Sequence, residues 1–241
     1  MCYHNSLKVQ KHDLEKRYNS KIVEDFIPVY HSNGFSFQKW PVLVNGEGDS
    51  GSFQFMNWGL IPFWNKDKQK ALEGRLNTLN CKGETAWEKP SFRASIKSKR
   101  CLIPSTGFYE WMHVGKEKIP FFIYLKNVEI FSFAGIFDEC TIKDSQGNEE
   151  KFQTFSIITT CANGLMEKIH NSKKRMPVIL SPEKEKLWVL EDTSKEEINN
   201  LLLPFPEEEM QAHTISKLIT SRTENSNVPK VMDAFKYPEI S

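Results

Sequence analysis

An α+β fold is predicted for this chain by three observations. Apolar, β-branched runs dominate its middle, short amphipathic segments follow, and the two kinds do not alternate in a repeating strand–helix order. Strands are expected at KIPFFIYL (118–125), EIFSFAGIF (129–137), FQTFSIITT (152–160) and MPVIL (176–180), with KN and KDSQGNEE as turn formers between them. Helices are expected in CANGLMEKIH (161–170), where Leu165 and Ile169 share a face, in SPEKEKLWVL (181–190) with its Ser-Pro-Glu start, and in DTSKEEINNLLL (192–203) with a Thr/Ser cap.

A chain of 241 residues with 39% hydrophobic and 26% charged residues can bury a full core. No repeat or linker divides it, so a single domain over 1–241 is expected, with a peripheral tail from about 220 to 241. It has neither a secretory pattern nor an apolar run near the ~18 residues of a membrane span. The reading is a cytoplasmic monomer, associated with the nucleoid if bacterial. The five cysteines include no CxxC, and the six histidines never pair at ligand spacing. No disulfide framework, metal or cofactor is expected, and Cys81, Cys101, Cys140 and Cys161 read as small core residues or bystanders.

The formal charge of +1 conceals an asymmetry. Residues 66–101 carry ten Lys/Arg against four Asp/Glu, whereas 183–210 carry three Lys against nine acids. Trp58, Phe63 and Trp64 stand immediately before the basic stretch, and aromatics beside a cationic groove are the general means of holding single-stranded nucleic acid. Taken singly, Trp58, Trp64 and Trp111 each read as core anchors before base platforms. At the other extreme of the sequence, Cys2 follows Met1. Removal of Met1 would leave a thiol and a free amine two carbons apart, a pair that no internal residue can supply.

Four stretches combine with Cys2 in a fixed order: WGLIPFW (58–64), NCKGET (80–85), KPSFRASIKSKRCLIPSTGFYEW (89–111) and TTCANGLMEKIHNSKKRMPVIL (159–180). Together they resemble the SRAP family, named for SOS-response-associated peptidase, whose members shield abasic sites in single-stranded DNA. The resemblance runs over nearly the whole chain and implies a mixed, barrel-like sheet with short peripheral helices. It implies Cys2, Asn80, Glu110 and His170 as catalytic residues, and DNA contacts from His4, Pro41, Trp58, Trp64, Lys82, Arg93, Trp111, Thr159, Thr160 and Arg175. Two departures stand out. The family commonly reads Cys-Gly-Arg and Asn-Ala-Arg-x-Glu-Thr, so two phosphate-facing arginines are replaced by His4 and Lys82. Lysine keeps the charge without the bidentate fork.

The implied chemistry is covalent trapping in the DNA damage response, with lyase-type activity and autocatalytic or aminopeptidase removal of Met1. An abasic deoxyribose opens to an aldehyde, which a neutral amine traps as an imine. An α-amine has a pKa of about 7.7–8.0 against about 10.4 for lysine, so its neutral fraction at pH 7 is roughly several hundred times larger. The Cys2 thiol can then close a five-membered thiazolidine on the same carbon. Glu110, flanked by aromatics in FYEWM, is expected to have a raised pKa; His170, at a helix C-terminus, is expected to be a protonated general acid. Asn80 is expected to orient Cys2 or the sugar. Two alternatives remain open: an N-terminal-nucleophile amidohydrolase or peptidase using Cys2, and a non-covalent single-strand-binding module indifferent to it.

Overall fold

The computed structural model of the protein describes residues 2–46, 51–143 and 146–240. Met1, whose removal is expected, and residues 144 and 145 of the KDSQGNEE turn lie outside the described residues. In the first half of the chain come β1 (His4–Leu7), α1 (Lys11–Tyr18), β2 (Val29–Asn33), β3 (Lys39–Val44), β4 (Ser52–Trp58), α2 (Lys68–Gly74), β5 (Asn80–Lys82) and α3 (Ser95–Ser98). The long strands follow as β6 (Arg100–Ser105), β7 (Gly107–Val114), β8 (Glu117–Leu125), β9 (Phe131–Lys143) and β10 (Glu149–Cys161). The last part holds α4 (Gly164–Ile169), β11 (Arg175–Pro177), β12 (Ile179–Leu180), α5 (Pro182–Val189), α6 (Lys195–Leu201) and β13 (Met210–Thr214).

Five strands close on themselves. β4 pairs with β3, β3 with β6, β6 with β9, and β9 with β10, all antiparallel; β10 then returns to β4 through a parallel pairing at Thr154 and Phe155. Closure removes the exposed ladder edges that open sheets must otherwise protect. Trp40, Met56, Trp58, Phe133, Phe155 and Ile157 are buried in the main core with the residues of this barrel. Trp188 of α5 is fully buried and its indole N–H reaches the Cys101 and Gly135 carbonyls, so α5 is fastened onto β6 and β9.

A second sheet runs β13-β8-β7-β1-β2. The chain's own beginning supplies one of its inner strands: β1 lies between β7 and the edge strand β2, antiparallel to both. Asn5 and Ser6 are polar and buried there, and the surrounding hydroxyls satisfy them. Ser105 Oγ donates to Asn5 Oδ1 (2.7 Å), and the Ser6 and Thr106 hydroxyls are 3.2 Å apart. The tail beyond residue 220, expected to be peripheral, is stitched to this sheet. Asn227 Oδ1 accepts the Tyr30 and His31 N–H groups, and Val231 is fully buried.

The expected strands and helices of the second half are present. MPVIL divides into β11 and β12 at Val178, whose N–H donates to Ile158 of β10 while its carbonyl accepts from Ala134 of β9. The segment changes partners there, which a run of apolar residues does not announce.

Candidate active site

The β1/β7 register brings the chain start to Glu110. His4 pairs with Tyr109 and Asn5 with Phe108, so the antiparallel run carries Tyr3 alongside Glu110 and Cys2 to the end of the same ladder. Cys2 is fully buried and its thiol is 3.8 Å from the His4 carbonyl. Burial, and then the charge of Glu110, push the Cys2 thiol up. Glu110 is itself 5% exposed, and burial raises its carboxyl to about 7. A carboxyl poised there holds a proton near neutrality and can also release it.

His170 follows α4 directly and reaches across to β7, with Nδ1 3.8 Å from Glu110 Oε1. Its Nδ1–H donates to the Arg175 carbonyl at 2.8 Å, which leaves Nε2 carrying the lone pair in the neutral ring. Burial lowers His170 to about 4, so the ring is neutral at pH 7. The helix C-terminus was expected to favour the protonated imidazole; desolvation outweighs that fraction of a charge.

Asn80 opens β5, which runs parallel to β10. It is 8% exposed, and neither amide atom has a hydrogen-bond partner among the described residues. A buried amide left without partners is costly, so Asn80 calls for a water or a ligand atom at this position. It lines a cleft of 670 Å³ with Tyr3, Lys82 and Lys89. A second cleft of 440 Å³ is lined by Tyr3, His4, Glu110, Trp111, His170 and Lys173. Cys2, fully buried, lines neither cleft itself.

The expected DNA-contact residues fall into three groups. Lys82 is exposed on the first cleft, and Trp111 lies on the second with its ring edge-on to His4 at 4.7 Å. His4 is drawn inward: its Nδ1 is 2.8 Å from His31 Nε2, and His31 Nδ1 is 2.7 Å from Ser226 Oγ. Burial lowers His4 to about 3 and His31 to about 4, so His4 offers a neutral hydrogen-bonding ring in place of a cation.

A second group is sealed in the fold. Trp58 is 2% exposed, stacked on Phe155, with its N–H on the Leu79 carbonyl, so the base platform expected there is a core anchor. Pro41 is buried in β3 between β4 and its neighbours and presents no wedge. Thr159 and Thr160 are buried as well, Thr160 bonded to the Leu202 carbonyl. Arg175 is bidentate to Glu84 and also donates to the Thr159 carbonyl and hydroxyl, which fixes the carbonyl that His170 uses. The third group, Arg93 and the half-exposed Trp64, is on the surface but lines neither cleft. Residues that the sequence reading did not single out are Tyr3, shared by both clefts, and His31 behind His4.

These burials set an acid sensitivity. His4, His31 and His170 all have folded pKa values below the free value of 6.5, so each contributes stability that is complete above pH 6.5 and is lost as pH falls toward 4. Glu110 has the opposite sign: raised to about 7, it contributes stability below pH 4.5 that is lost as pH rises through 7. Three groups outweigh one between pH 6.5 and 4. The melting temperature is expected to fall over that window, at roughly 2–4 °C per kcal/mol for a chain of this size, and His31→Phe should flatten the fall. A flat profile in wild-type protein would contradict the neutral histidine cluster.

Comparisons with known proteins identify relatives of this chain. A model of the SOS response associated peptidase (SRAP) family matches residues 1–222. The chain is 37% identical over 232 residues to the abasic site processing protein YoqW of Bacillus subtilis, covering 94% of this chain and 97% of the relative. It is 39% identical over 187 residues to the abasic site processing protein YoaM of the same organism, covering 77% and 78%. A crystal structure of a protein from Bacteroides thetaiotaomicron superimposes with a TM-score of 0.89 at 40% identity, covering 98% of this chain and 100% of that one.

Proposed function

Because the chain belongs to the SOS response associated peptidase (SRAP) family, we propose that it processes abasic sites in DNA, capturing them in single strands as a covalent thiazolidine on Cys2. The observation that carries this reading is the position of Cys2, fully buried just before the inner strand β1, with Glu110 raised to about 7 beside it and His170 3.8 Å from that carboxyl. The relatives' names supply the substrate. No helix among the described residues is long and apolar enough to cross a membrane.

Cleavage of Met1 gives Cys2 its free amine, by an aminopeptidase or by the chain itself. The closed abasic sugar opens when neutral His170 takes the proton of the C1′ hydroxyl and the Glu110 carboxylic acid delivers one to the ring oxygen, an isomerisation with no net proton change. The amine adds to the C1′ aldehyde and water leaves, forming the imine. The Cys2 thiol then adds to the imine carbon while its proton passes, through the Glu110 carboxylate, to nitrogen. One C–N and one C–S bond form, and one water is lost. Asn80, with its amide unsatisfied at the cleft, fits a sugar or phosphate oxygen. Intact mass spectrometry after incubation with an abasic single strand tests the scheme. The expected mass is that of the protein without Met1, plus the DNA, minus one water; a mass retaining Met1 or lacking the water loss overturns it.

Strand binding should carry the signature of phosphate contacts. Lys82 on the first cleft is exposed and available, so affinity for an undamaged single strand should fall with salt. Lys82→Ala should reduce the log–log slope by about 0.7, one phosphate's share for single strands. A slope unchanged by Lys82→Ala would move the backbone path away from β5. Affinity independent of salt would favour an amidohydrolase acting on uncharged substrates.

A further inference from the structure

The two clefts of the site share one side chain, Tyr3. Its backbone is held by the next turn of chain: the Gly34 N–H donates to the Tyr3 carbonyl at 2.7 Å. That turn, Gly34–Ser36, opens on Asn33, whose side chain accepts the Phe35 N–H. Gly34 rests on the Trp58 indole, and a Cβ there would come within 3.2 Å of the ring, so the turn sits directly on the barrel. The result places the Phe35 ring 4.8 Å from the Tyr3 ring at an interplanar angle of 43°. Phe35 is 45% exposed, and Leu76, on the first cleft beside Tyr3, is 49% exposed.

Through Tyr3 and Leu76 this apolar and aromatic surface enters a cleft that also holds Lys82, Lys89 and the unpartnered amide of Asn80. Lysines answer phosphates, and an aromatic face answers a base. Tyr3 is also adjacent in sequence to the proposed nucleophile. Consecutive Cα atoms are about 3.8 Å apart and stacked bases repeat about every 3.4 Å, so a ring one residue from Cys2 is at the range of a base one nucleotide from the reacting sugar.

We propose that Tyr3, backed by Phe35, is the stacking platform for the nucleobase that flanks the abasic site. The inference rests on the abasic-site reading above. A base beside an abasic site has lost its stacking partner on one face, and the phenol ring takes that place. A base in an intact strand keeps its own partner and gains less. Tyr3 thereby contributes to the choice between damaged and undamaged strands as well as to affinity.

The probe is a single strand carrying a stable tetrahydrofuran at the abasic position, which has no aldehyde and cannot cross-link, with 2-aminopurine placed on its 5′ side or on its 3′ side. Wild-type protein should quench the fluorophore in one of the two placements. Tyr3→Ala should lose the quench and weaken binding by roughly 5- to 150-fold, the range for one stacked base, with a smaller loss on an intact strand. Tyr3→Phe should restore both, and Phe35→Ala, at an exposed position, should lose part of the quench even if Tyr3→Ala fails to fold. Absence of quenching in both placements with wild-type protein overturns the proposal, as does full quenching by folded Tyr3→Ala. Cross-linking to a natural abasic strand is scored separately: quench without cross-link keeps the platform and removes the covalent reading, and cross-link without quench does the reverse.

Discussion

Cys2→Ala is expected to form no adduct with an abasic single strand that survives denaturing electrophoresis. The substitution leaves the fold's demands at this position small, because a fully buried thiol at a strand head is replaced by a smaller apolar group and loses only a weak contact to the His4 carbonyl. It also leaves an α-amine once Met1 is removed. What it removes is the second bond. An imine hydrolyses, whereas ring closure by the thiol converts it to a product held by both C–N and C–S bonds. Borohydride reduction during incubation should therefore recover a stable adduct from Cys2→Ala, by trapping the imine that wild-type protein closes unaided. A bulky residue inserted after Met1 should abolish the adduct formed without reductant, since the Cys2 nitrogen is then an amide and no thiol and free amine share one residue. Stable cross-linking by Cys2→Ala without reductant would refute the aminothiol mechanism. Failure of borohydride to rescue it would remove the amine from the reaction.

The second half of the fold was legible in the sequence because its strands are long, apolar and β-branched, and become β8, β9 and β10. The first half was not, and β1 shows why. His4, Asn5 and Ser6 read as a polar chain end, yet Asn5 and Ser6 are buried in an inner strand of a sheet. Their burial depends on Ser105 and Thr106, about a hundred residues away in PSTGFYEW, and such pairwise satisfaction leaves no periodicity. The site followed the same rule. Glu110 was readable from its aromatic neighbours, and burial raises it to about 7. The protonation of His170 was not readable, since it depends on the Arg175 carbonyl and on the depth of burial, neither of which a local sequence states. Trp58 and Trp64 stand six residues apart in one motif, yet one is a core anchor and the other is 51% exposed, so a motif match locates a segment without saying which way its side chains face.

His170 and Glu110 both serve ring opening in this scheme, and reversal of the adduct separates them. Formation begins with ring opening, and a neutral His170 is the base for that step at every pH above about 4. His170→Ala should slow adduct formation by ~10²–10⁴-fold where ring opening limits the rate. Reversal of a preformed thiazolidine needs the ring nitrogen protonated as the C–S bond breaks, and Glu110, protonated below about 7, is the acid in reach. The sign follows from the raised pKa: the acid form is complete well below pH 7 and disappears above it, so wild-type reversal should fall as pH rises from 6 to 8. Glu110→Gln, which cannot titrate, should reverse slowly and without that inflection. The experiment preforms the cross-link, adds excess unlabelled abasic strand, and follows transfer at several pH values for wild type, His170→Ala and Glu110→Gln. A preformed adduct has no free amine, so the N-terminus neither titrates in the reversal profile nor lowers Glu110, and the Glu110 inflection is expected at or above 7. An inflection near 7 that persists in Glu110→Gln would assign the titration to another group. Equal formation and reversal rates in all three proteins would leave the reaction to the aminothiol of Cys2 alone, with the buried carboxyl and imidazole serving only to shape the cleft.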